Sequence, residues 1–109
     1  MDTGMETPIV QLRKLIIGQK SAALPDVPVG SPLEGLRQQL ADYDAFVTQA
    51  VIRVLGGEKN VEPFPGQAGL DNAFAQADES PVLQQLLRYR QRLDSMLTLA
   101  RQAATEEPD

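Results

Sequence analysis

The chain has 109 residues, 42% hydrophobic and only 5% aromatic, with no cysteine, histidine or tryptophan. Those missing types exclude thiolate zinc sites, iron–sulfur clusters, disulfides, histidine-bound metals and Cys or Ser–His nucleophiles. Ten Lys and Arg against 15 Asp and Glu give a formal charge of −5, so nucleic acid is disfavoured as a partner and no cofactor is expected.

One domain is the expectation at this length, all-α, with flexible ends over 1–6 and 105–109. The longest apolar run, Leu15-Ile16-Ile17, falls far short of the ~20 residues that span a bilayer. Met1-Asp2-Thr3-Gly4-Met5-Glu6 carries two acids and no basic stretch, so it does not read as a signal peptide. The expectation is a cytoplasmic protein without a membrane span.

Thr7-Pro8, Ser31-Pro32 and Ser80-Pro81 each place a hydroxyl residue and then proline ahead of a helical pattern. The hydroxyl serves as an N-cap, and proline is tolerated at the first helical position because its missing N–H would be unpaired there anyway. The first helix spans about 8–20, with Ile9, Leu12 and Ile16 on one face and Gly18 as its interruption or end. Residues 24–30, with prolines at 25 and 28, break the pattern, although Val27 and Val29 can pack extended against the helices.

The second helix, about 32–55, opens with Ser31 and Glu34 in capping-box spacing. Leu33, Leu36, Leu40, Tyr43, Val47, Ala50 and Val54 follow at alternating intervals of 3 and 4, a heptad seam widened by Phe46, Val51 and Leu55. Gly56-Gly57 stops it. A proline- and glycine-rich connection follows, in which Pro65-Gly66 suits a type II turn. A short helix of about 70–77 follows, and Phe64 and Phe74 anchor the whole stretch to the core. The last helix, about 81–104, carries Val82, Leu86, Tyr89, Leu93, Met96 and Ala100 as its seam, flanked by Leu83, Leu87 and Leu97. Two long amphipathic helices of this kind are expected to pack as an antiparallel hairpin. The shorter helices, or a second copy of the chain in a homodimer, would cover what remains exposed.

Candidate chemistry is sparse. Arg88, Arg90, Arg92 and Arg101, opposed by Asp94, read as a solvated helix face with Arg90–Asp94 as an i,i+4 pair. The competing reading is a surface for an acidic partner. Asp42 and Asp44 lie about 200° apart around a helix, so they cannot converge as an acid–base pair and read as solvated carboxylates. Glu58 and Glu62 fall in the connection, and no stretch has the ligand spacing of a calcium loop. Gly56-Gly57-Glu58-Lys59 follows a helix and lacks the spacing of a phosphate loop. Tyr43 and Tyr89, on the two seams, need a polar partner such as Gln or Asp for their hydroxyls if buried.

This pattern points to a non-enzymatic helical protein–protein interaction module: an adaptor, assembly factor, chaperone or accessory subunit. A signalling module switching between two helix packings is the alternative. The partner, another protein or a second copy, is expected to meet Leu36, Tyr43, Phe46 and Val51 on one long helix. On the other it would meet Leu86, Leu87, Arg88, Tyr89, Arg92 and Leu97.

Overall fold

The computed structural model describes residues 7–20 and 23–105. They form four helices, α1 (Pro8–Lys20), α2 (Glu34–Leu55), α3 (Gln67–Gln76) and α4 (Pro81–Ala104), with no strand among the described residues. The ends expected to be flexible lie outside the described residues except for Thr105, the C-cap of α4.

The three hydroxyl–proline pairs behave differently. Ser80 has extended backbone, and its Oγ accepts from the Leu83 N–H at 3.0 Å. The Thr7 hydroxyl accepts from Val10 N–H at 3.4 Å. Ser31 departs from the pattern: Pro32 and Leu33 form a turn, and α2 starts two residues late, at Glu34. The Ser31 Oγ accepts from Leu33 N–H at 3.1 Å, while Glu34 N–H goes to the Ser31 carbonyl, so the capping box does not form.

At the other end of α2, Gly57 adopts φ +106°. Glu58 N–H then reaches the Arg53 carbonyl at 2.9 Å and Gly57 N–H the Val54 carbonyl at 3.0 Å. That pair of bonds is a Schellman motif, and it covers carbonyls the helix leaves unpaired. Gly66 departs from expectation. Its φ −92°, ψ 14° belong to a type I turn, not type II. These right-handed values lead straight into α3, which therefore begins at Gln67 and not at 70. Glycine lets the Phe64 ring sit close, since a Cβ here would lie 3.0 Å from it and the ring would have to shift.

Gly18 does not end α1, which continues to Lys20. The residue marks a close approach, since a Cβ there would lie 2.8 Å from Arg92 Nη2 of α4. Beyond it, Arg37 straps the next segment to α2, donating from Nε to the Pro25 carbonyl at 2.7 Å and pairing with Asp26 at 3.2 Å. Val27 packs on the core, whereas Val29 is 96% exposed, carried outward in the turn that Gly30 completes at φ +81°.

The direction of the long helices overturns the antiparallel expectation. Leu33, Leu36 and Gln39, at the start of α2, border the same cleft as Ser80 and Val82 at the start of α4. Both helices therefore begin at one end of the molecule and run parallel. The connection makes the return trip: Glu58, Val61 and Phe64 border a groove with Arg53, Ala50 and Phe46. Further along, Gly69 stands beside Gln39, and Ala73 and Gln76 reach the cleft at Leu36. Length explains the choice. An antiparallel helix hairpin needs only about 2–8 connecting residues. Climbing back along the 22 residues of α2 requires about 33 Å, which an extended limb plus the 10-residue α3 can cover.

The core lies between α2 and α4. Leu36, Leu40, Tyr43, Val47, Val51 and Val54 face Leu83, Leu86, Tyr89, Leu93, Met96, Leu97 and Ala100, joined by Leu12 from α1 and Leu70 from α3. Val51 and Leu83 take the fully buried places expected of Ala50 and Val82, which are half-buried. With α1 against α4 and α3 against α2, the buried face is wider than one heptad seam.

Candidate functional site

Two side-chain ties cross the long helices. The Tyr43 hydroxyl donates to Asp94 Oδ1 at 2.6 Å, and the Tyr89 hydroxyl donates to Asp44. Each helix thus contributes one phenol and one carboxylate. A slip of one helical turn, about 5.4 Å, would break both. Burial pushes the Tyr43 phenol well above its ordinary value of 10.0, and the hydrogen bond to Asp94 and that carboxylate's charge push the same way. The phenol stays a neutral donor. Asp44, expected as a solvated carboxylate, is half-buried and also accepts from the Thr48 hydroxyl at 3.2 Å. Asp42 does remain exposed, accepting from Gln38.

Arg90 also differs from the solvated face expected of the last helix. Its side chain is only 13% exposed. The guanidinium carbon lies 5.3 Å from the centre of the Phe74 ring, and the group pairs with Asp71 and, at 3.6 Å, with Asp94. Hydrogen bonding from Arg90 holds the Asp71 carboxyl below its usual range. The reason Arg90 is covered is tertiary: α3, returning along the parallel pair, lies over it. On the neighbouring flank, Phe64 packs its ring 5.1 Å from Tyr43 and 5.2 Å from Phe46, which fixes the returning limb to α2.

Beyond these ties a cleft of about 630 Å³ opens at the end where α2 and α4 begin and α3 finishes. Leu33, Leu36, Ala73, Ala77 and Val82 give it apolar walls, with Gln39, Gln76 and Asp78 as polar members. A second groove of about 570 Å³ runs between α2 and the limb, where Asp42, Arg53, Glu58 and Glu62 mix both signs of charge around Phe46 and Val61. Among the described residues, no group of three or more His, Cys, Asp or Glu could hold a metal ion. No described helix is long and apolar enough to cross a membrane.

The residues expected to meet a partner are divided by this arrangement. Tyr43, Val51, Leu86, Tyr89 and Leu97 are buried in the chain's own core, and Leu36, 4% exposed, shows only an edge at the cleft. Phe46 and Leu87 are half-buried, the former in the second groove. Arg88 and Arg92 are exposed, and Arg92 lies against Gly18 of α1. A partner reaching the buried set would have to displace α1 or α3. The expected Arg90–Asp94 pair is present, but sequence reasoning missed Gly35, Ala73 and Ala77 as cleft residues, Asp94 as the partner of Tyr43, and the Arg90–Asp71 pair. The available signal was a connection too long for a hairpin, carrying its own helix. No family model, curated protein or solved structure matches this chain.

Proposed function

We propose that the chain is a non-enzymatic helical protein–protein interaction module, an adaptor or accessory subunit working in the cytoplasm. Its docking surface is the cleft between the starts of α2 and α4. The observation that carries this reading is the cleft itself: about 630 Å³ left unfilled against apolar walls in a molecule of 109 residues. A concave surface with apolar walls and a few placed polar groups is the usual form of a binding site. The Tyr–Asp and Arg90 ties support the same reading, because a bundle already held in place reduces the ordering cost of association.

Affinity purification of the tagged full chain from its own cell, with cross-linking, tests the proposal. A protein is expected to accompany it in stoichiometric amount, and Ala73→Arg in the cleft wall should release that protein while circular dichroism is unchanged. A chain that purifies alone overturns the reading. Light scattering separates out a second copy as the partner: a mass near 11.9 kDa at every concentration removes the homodimer.

A further inference from the structure

We infer that the cleft receives an apolar peptide segment carrying basic residues, and that Gly35 keeps the space open for it. This rests on the docking reading above and adds the chemistry of the occupant.

Gly35 is the first observation. It stands in the first turn of α2, a position where glycine weakens a helix relative to alanine. Its φ is not positive, and a Cβ built on it would meet nothing within 4 Å. Neither the backbone nor a neighbour in the chain therefore demands a glycine here. The missing side chain leaves room in the cleft that Gly35 lines.

Charge is the second. Asp78 lines the cleft, exposed Glu79 adjoins it, and among the described residues no Lys or Arg lines it. Glu34, in the first turn of α2, borders not this cleft but a separate groove with Asp26 and Arg37. Arg37, the nearest cation along α2, is paired with Asp26. The starts of α2 and α4 both lie at this end, and each contributes only about half a positive charge. Asp78 and Glu79, two full negative charges, outweigh them, so among the described residues the cleft favours cations over acidic ligands. An occupant suited to it sets apolar side chains over Gly35, Ala73 and Val82 and its basic residues toward Asp78 and Glu79.

Fluorescence anisotropy with the full chain tests this, using as probes a short dye-labelled peptide of Leu, Ala and Lys and its counterpart with Glu in place of Lys. The basic peptide should bind the unaltered chain at least about tenfold tighter than the acidic one. Gly35→Leu should weaken the basic peptide by about tenfold or more with helicity retained, and Ala77→Leu, filling the cleft from the α3 side, should do the same. Asp78→Lys should weaken it severalfold and flatten its salt dependence. Equal binding to the unaltered chain and both filled variants overturns the inference, as does preference for the acidic peptide or binding of neither. If Gly35→Leu keeps the protein that co-purifies with the unaltered chain, this inference fails while the module reading survives; if nothing co-purifies with the unaltered chain, the module reading itself fails.

Discussion

The α2–α4 pair and the returning limb of residues 58–80 cover the same length of the molecule by different means. The pair buries six residues on α2 and nine on α4, and two Tyr–Asp hydrogen bonds tie it across. The limb buries one residue of its helix, Leu70, and is otherwise held by the Phe64 and Phe74 rings and by the Arg90–Asp71 pair. Most of the buried apolar side chains belong to the pair, the larger of them contributing about 2 kcal/mol each. Yet the limb decides that the two long helices run parallel, and it builds one wall of the cleft. Stability and topology are carried by separate parts of this chain.

The comparison breaks most visibly at the seam. Leu93 is fully buried, so Leu93→Asp leaves a charge with no partner there and should cost about 4 kcal/mol or more, a large share of a small domain's total. Far-ultraviolet circular dichroism should show loss of most helix, and an unchanged spectrum would contradict the seam. Leu70→Ala should cost about 2–3 kcal/mol, with the damage confined to one region. Hydrogen exchange should accelerate in α3 far more than in α2, whereas uniform acceleration would mean that the limb and the pair unfold as one unit.

The ties sharpen the comparison through an asymmetry. Asp94→Ala strands the buried Tyr43 hydroxyl and should cost about 1–3 kcal/mol. Tyr43→Phe leaves Asp94, 46% exposed, free to hydrate and should cost about 1 kcal/mol. Equal costs in urea titrations would mean that the hydroxyl finds another partner. The raised Tyr43 value also sets a pH dependence. In the unfolded chain the phenol ionises near 10.0, while in the fold it holds its proton to higher pH. Its contribution is therefore complete below about pH 10 and is lost as pH rises above that value. The melting temperature should fall more steeply there than in Tyr43→Phe, and parallel curves would remove the assignment. The smallest effect is expected at Gly18→Ala. Helix propensity favours alanine by up to about 1 kcal/mol, less the cost of moving the flexible end of exposed Arg92, so a net gain below about 1 kcal/mol should appear in thermal melts.

Local signals were legible because their causes are local. Ser80-Pro81, the Gly56-Gly57 stop and the apolar periods of 33–55 and 82–100 each act through a few neighbouring residues, and the helices formed close to where the pattern placed them. The need of Tyr43 and Tyr89 for polar partners was legible as well, since a buried hydroxyl must be paired. The choice of Asp94 and Asp44 was not, because it depends on how two helices face each other. The turn at Pro65-Gly66 departs from the type II expectation for a similar reason: Gly66 packs under the Phe64 ring and does not adopt a positive φ.

The amino-acid sequence by itself determined that this is an all-helical chain with two dominant amphipathic faces, because helix periodicity and capping are properties of short stretches. Only the tertiary structure decided that those faces run parallel, that α3 covers Arg90, and that a cleft opens beside Gly35. A heptad stripe buries equally well against a neighbour of either direction. The direction comes instead from the length of the connection and from where its few anchors land.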